Sequence, residues 1–220
     1  MRRPLLWQGI RVPWITPWSG EVRPMAEVEI RHGRGGVGLG YADEVDTDRR
    51  FDALWVRRAA TPGVGRPDLR SMHPLRQRQA MTHMLCQVCG TAVDGGEQSL
   101  FLMHSRPGDA IREGEVTAVP PAHDACARRA VRECPHLRRG WVAALVRRAP
   151  LWGVAGVAYD PRTLTPLPGP GAGGSGLHQV PYADATALRW LLAARLLVSL
   201  QGVEPVDVDG FADQPAAAGR

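Results

Sequence analysis

Four residues near the middle of the chain have the types and spacing of a metal site. Cys86 and Cys89 stand in Cys86-Gln87-Val88-Cys89-Gly90, and His123 and Cys126 in His123-Asp124-Ala125-Cys126. A C-x2-C turn points two thiolates at one ion, and the glycine after it lets the backbone bend. Two ligands three apart on the first turn of a helix face the same way. Three sulfurs and one imidazole suit a tetrahedral zinc ion, and four protein ligands leave no open position for a substrate water. The expected cofactor is therefore one structural zinc that contributes folding energy. No catalytic residue and no small-molecule substrate is identified.

Two other uses of these groups compete. A redox dithiol would need the C-x2-C at a helix start in a parallel sheet, whereas Thr91-Ala92-Val93-Asp94-Gly95-Gly96 reads as a turn. Cys134 or His136 could replace a ligand. If the stretch from Cys126 to Cys134 is helical, however, its eight-residue rise is about 12 Å, too far for two thiolates on one ion. Cys126, Ala130, Val131 and Cys134 then share a core-facing side, and Pro135 stops the helix.

The elements that must position the ligands follow from local pattern. Residues 75–84 read as a short helix leading into the C-x2-C turn. Residues 99–104 are strand-like, with 116–119 as their partner. Asp124 caps a helix that starts at the second pair, after Pro120-Pro121. Turn, hairpin and helix in that order define a treble-clef-like module, and the fold class expected is α+β. The module, residues 71–150, is expected to sit in a small mixed domain behind an extended Trp- and Pro-rich arm and small β region, residues 1–70. Within that first unit, residues 28–30 and 51–57 read as strands of a hairpin or small sheet. Trp7, Trp14 and Trp18, spaced by Pro4, Pro13, Pro17 and Pro24, are expected to lie on the chain's own core. Beyond the module, residues 141–148 read as an amphipathic helix and 152–159 as a strand. A mobile Gly- and Pro-rich run over 166–176 follows, and Asp184 caps a core helix through Leu200. These complete a unit over 151–202, and a disordered tail is expected over 203–220.

Charge narrows the partners. All 27 basic residues are Arg, and the formal net charge is +5. Residues 123–150 hold seven Arg against Asp124 and Glu133, whereas the acids outnumber the bases from Leu151 onward. The positive field thus belongs to the cysteine segment, chiefly Arg128, Arg129, Arg132, Arg138 and Arg139. Such a face suits nucleic-acid phosphates or an acidic protein. The longest apolar stretch, 188–200, is interrupted by Arg189 and Arg195 and is too short to span a bilayer, so no membrane partner is expected. Arg2-Arg3 is followed by too few apolar residues for an export signal, and a cytoplasmic address is expected, where thiols stay reduced. Gly33-Arg34-Gly35-Gly36-Val37-Gly38 has the spacing of a dinucleotide loop, but no helix pattern opens after it, so it reads as a hairpin tip.

Two resemblances centre on the same segment. RQRQAMTHMLCQVCG at 76–90 and PPAHDACARRAVRECPHL at 120–137 resemble a group of actinobacterial proteins that share a CxVCG turn and a second pair ending in Cys134-Pro135-His136-Leu137. That resemblance implies a zinc site without implying an activity. The Arg-rich approach to Cys86-Gln87-Val88-Cys89-Gly90, with His104-Ser105-Arg106-Pro107 beyond it, is similar to zinc-containing HNH endonucleases. It implies a general-base role for His104, yet Met103 stands where those nucleases have an Asp, and the chain contains no Asn. The function expected is a non-enzymatic zinc-stabilised binding protein, with a degenerate nuclease and a redox-active C-x2-C protein as alternatives.

Overall fold

The computed structural model describes residues 4–21, 27–33, 36–93, 96–106, 109–174 and 176–206. In chain order the elements are β1 (Leu5–Trp7), β2 (Ile10–Val12), β3 (Glu29–Gly33), β4 (Gly36–Gly40), β5 (Arg49–Arg50), β6 (Ala53–Trp55) and α1 (Pro74–His83). Then come β7 (Ser99–His104), β8 (Val116–Thr117), α2 (Asp124–Glu133), β9 (Trp141–Arg148) and β10 (Leu151–Ala158). The last are β11 (His178–Pro181), α3 (Ala185–Leu188), β12 (Leu191–Ser199) and β13 (Gln201–Val206). The fold is mixed α+β, with few helices and many strands. Among the described residues no helix is long and apolar enough to cross a membrane.

Two sheets organise the chain. One has the order β11-β10-β12-β6-β5, with β8 also paired to β12, and the other has the order β13-β9-β7. Alternation along β7 and β9 explains how the smaller sheet joins two cores. Phe101, Met103, Ala144 and Val146 enter the main core with Trp55, Met81, Leu196 and Val198. Leu100, Leu102 and Ala143 enter a second cluster, which contains Cys86 and Ala127. Because successive strand side chains point to opposite faces, one sheet can serve both clusters. A third cluster, of Leu39, Tyr41, Leu54, Tyr159 and Leu192, lies on the opposite side of the larger sheet from Ala53, Trp55, Leu191 and Ala193.

Several sequence expectations change here, for a common reason. Residues 141–148 form β9 rather than a helix, and the helix capped by Asp184 ends at Leu188, after which the apolar run becomes β12. β12 is flanked by β10, β6 and β8 and is buried on both faces, so it needs no polar face and shows no period of two. β9 likewise has a cluster on each face. The partner of residues 99–104 is β9, while Val116 and Thr117 pair with Ser199 and Val198. Ala122, just before α2, bridges back to Leu100. Residues 28–30 and 51–57 do not pair with each other, because β3 pairs with β4 and β6 joins the larger sheet.

The unit boundaries at 70, 150 and 202 therefore cut across both sheets, and residues 203–206 continue β13 as a paired strand instead of beginning a tail. The remaining tail, 207–220, lies outside the described residues. Of the Gly33–Gly38 motif, Gly33 ends β3 opposite Gly36, which begins β4, and residues 34–35 lie outside the described residues.

The arm begins with the β1–β2 hairpin and then runs over the chain's own surface. Trp18 is buried, and Trp7 packs edge-on against it at 6.2 Å. Glu21 forms a buried two-pronged pair with Arg76 of α1, at 2.6 and 2.8 Å.

Candidate metal centre

The first ligand pair is delivered by the end of α1. The helix starts with Pro74 after the cap residue His73 and ends at Met84, whose left-handed backbone turns the chain. Leu85 then bridges to Ala92, Cys86 N–H donates to the Thr91 carbonyl at 2.7 Å, and Gly90 N–H donates to the Cys86 carbonyl at 2.8 Å. Gly90 has φ +72°, and a Cβ there would meet the Trp14 ring at 2.5 Å, so both backbone and space require glycine. The arm also supports this turn, since the N–H groups of Trp14 and Ile15 donate to the carbonyls of Val88 and Gln87 at 3.0 and 3.2 Å.

The second pair comes from the start of α2, with His123 as its cap residue. Ala127 is buried, and Cys126, Ala130 and Val131 pack on the second cluster, leaving the Arg side outward. Gln87 ties the two pairs together. Its N–H donates to the Pro121 carbonyl at 2.9 Å, and its amide donates to the carbonyls of Pro120 and Leu102 at 3.0 and 3.2 Å.

The outcome is convergence. One ligand atom from each of Cys86, Cys89, His123 and Cys126 lies within 4.8 Å of all the others. Cys86 is fully buried and the other three are half-buried. His123 Nε2 lies 2.8 Å from the Ala92 carbonyl, which can only accept, so Nε2 carries the proton and Nδ1 keeps its lone pair. That Nδ1 lies 3.4 Å from Cys89 Sγ. A sulfur and an imidazole nitrogen on one tetrahedral ion would be about 3.5 Å apart, from bonds of about 2.3 and 2.0 Å. The site thus has both the donor set and the spacing to hold a metal ion.

Its electrostatics agree. The Cys86 thiol is held well below its ordinary range, mainly because Cys126 donates to it. Burial acts the other way, but the Cys126 bond together with the backbone N–H groups of His123, Cys89 and Val88 outweighs it. Cys126 is pushed up, first by that same bond and then by burial and the charge of its neighbours. Three thiols gathered within 4.8 Å of one another cannot all ionise without mutual repulsion, which a bound cation would neutralise as it displaces their protons. Cys89 Sγ also lies 3.1 Å from Thr91 Oγ1, an outer contact that supports the ligand.

Cys134 and His136 lie outside the group. Cys134 is the cap residue at the far end of α2, and the His136 ring stacks on that of His104 at 3.8 Å. His104 is exposed at the end of β7, and Met103 beside it is buried in the main core. Arg129, Arg132, Arg138 and Arg139 are exposed, and Arg128 is half-buried. The residues that sequence spacing missed are Trp14, Ile15, Gln87, Thr91 and Ala92. Of these only Trp14 carried a signal, as an aromatic in a Pro-spaced arm next to a glycine turn.

Comparison of the chain with protein-family models, with curated proteins and with solved structures finds no match.

Proposed function

We propose that this chain is a non-enzymatic binding protein. In this reading one structural zinc, held by Cys86, Cys89, His123 and Cys126, stabilises a treble-clef-like module whose arginines contact nucleic-acid phosphates. Zinc supplies a crosslink between two chain segments and neutralises their thiolates. The observation that supports this reading is the layout of α2: its cap residue His123 and first-turn Cys126 belong to the converging group, while Arg129 and Arg132 on the helix, and Arg138 and Arg139 just beyond it, are exposed. Among the described residues they meet one weak ion pair. The Arg129–Glu133 pair spans 3.9 Å between half-exposed side chains and is weak. Arg132 and Arg138 donate to the neutral carbonyls of Arg128 and Arg132.

Two measurements test this. Metal analysis after chelator washing is expected to find one zinc per chain, absent in Cys86→Ser and retained in Cys134→Ser. Equimolar iron or nickel in place of zinc would refute the metal assignment. Binding to labelled duplex DNA, single-stranded DNA and RNA should weaken steeply with salt, by a slope of about −0.9 per neutralised phosphate on duplex DNA. Arg132→Gln combined with Arg138→Gln and Arg139→Gln should flatten that slope. If no nucleic acid is retained even at about 50 mM salt, the partner is an acidic protein instead.

A further inference from the structure

We propose that the cavity between the N-terminal arm, the end of β7 and the end of α2 binds a small aromatic carboxylate, with the ring inside and the charge at a basic mouth. The site shares Gln87 and Val88 with the C-x2-C turn but includes none of the four converging ligands, and it stands whether or not the Arg face of α2 binds nucleic acid.

The cavity has a volume of about 230 Å³. An apolar cavity of about 150 Å³ already holds benzene, so a ring with a carboxyl substituent fits. Its lining is mainly apolar. Ile15 of the arm and Leu102 and Met103 of β7 are buried, and Met72, Val119 and Leu137 around them are half-buried. Methionines adapt their shape to a ring and make favourable sulfur–aromatic contacts. At the mouth the imidazoles of His104 and His136 are stacked, 3.8 Å apart and 14° from parallel, which gives it one flat aromatic wall.

Charge is confined to that mouth. Arg70, His104 and His136 line it and are exposed, and no carboxylate is among the described residues of the lining. Burial first, and then the charges of His104, Arg139 and Arg70, hold the His136 pKa below 6.5. The groups that act on this imidazole are thus all basic, and they come from the loop before α1, from β7 and from the turn after α2. The acids close to them in sequence are engaged outside the cavity. Asp68 accepts the backbone N–H of Arg70 at 3.1 Å, Asp109 accepts that of Arg106 at 3.0 Å, and Glu133 lies 3.9 Å from Arg129.

An apolar interior with a cationic mouth selects an anion that carries an apolar body. A guanidinium and an imidazole N–H offer directional donors to a carboxylate. Free phosphate would leave the interior unfilled, and a neutral ring would gain nothing from Arg70.

The test is titration calorimetry of the full-length, metal-loaded protein with naphthoate at low ionic strength, with naphthamide as the neutral analogue of the same shape. Naphthoate is expected to bind saturably and more tightly than the amide. Arg70→Gln, a change at an exposed loop residue, should weaken naphthoate by about threefold to tenfold and leave naphthamide unchanged. Arg148→Gln, at the far end of β9, should bind as the parent does. Val119→Phe, which adds a ring to the cavity wall, should lose both ligands while a thermal melt shows the variant folded. The imidazole NMR signals of His104 and His136 supply a readout that needs no variant, since both should move as naphthoate saturates the protein. Equal affinity for naphthoate and naphthamide would overturn the proposal, as would unchanged naphthoate binding in Arg70→Gln or no saturable binding by the parent. Imidazole signals that stay fixed at saturation, or binding that survives in folded Val119→Phe, would place the ligand outside the cavity and overturn it as well.

Discussion

Replacing Glu21 with Gln should loosen both the arm and the metal centre, because one buried carboxylate ties the two. Glu21 and Arg76 side chains are 1% and 4% exposed. Glu21 accepts two Arg76 bonds, at 2.6 and 2.8 Å, and the Trp18 N–H at 2.8 Å. Arg76 also donates to the Thr16 carbonyl at 2.7 Å, while its Nε finds no partner among the described atoms. Gln keeps the shape but strands the guanidinium, and breaking a buried pair in this way costs about 3–5 kcal/mol. For a chain of this size each kcal/mol shifts the melting temperature by about 2–4 °C, so a fall of about 6–20 °C is expected. Replacing both partners, Glu21→Leu with Arg76→Met, should recover most of that loss, since apolar substitutes for buried pairs are often neutral. Urea and thermal melts give the stability. Amide exchange at Trp14 and Ile15, which donate to the carbonyls of Val88 and Gln87, should accelerate together with release of metal from the metal-loaded protein to a chelator. A loss under about 1 kcal/mol in Glu21→Gln, or a double variant no better than the single, would refute this account. Acid gives an independent check. Burial raises the Glu21 pKa, but the Arg76 and Trp18 bonds outweigh it and leave it below 4.5. The stabilisation is therefore complete above that pH and is lost as pH falls through the lower folded value. Acid unfolding of the parent should be steeper there than that of the double variant.

Gly90→Ala should destabilise the protein by about 1 kcal/mol or more through its positive φ alone. The clash with Trp14 adds to this, so a melt within error of the parent would contradict the close approach. His73 offers a pH test. Burial, aided by Arg76, lowers its pKa from 6.5 despite the Ala59 bond and Glu21, so the folded state keeps it neutral while the unfolded chain takes up a proton. Stability should decline as pH falls below about 6.5 until the folded pKa is reached, and His73→Asn should flatten that decline. A parent whose urea midpoint is constant from about pH 7 to 5 would overturn it.

The four converging residues were legible because C-x2-C and H-x2-C are local patterns, with directions set by a tight turn and a helix start. The helices at 74–83 and 124–133 were legible for a related reason, since capping and periodic signals act over a few residues. The strands β9 and β12 were not, because a segment covered on both faces carries no alternation, and its apolar run reads equally well as a helix.

Nor did the chain show which strands pair, since residues 99–104 had a nearby candidate in 116–119 and took β9 instead. Local chemistry, then, was enough to say which side chains would meet at the metal centre. Only the assembled sheets decided what surrounds them: the arm against the knuckle, the buried Glu21–Arg76 pair, and the cavity between the arm, β7 and α2. Those contacts join residues dozens of positions apart, and their energy exists only once the intervening chain has folded.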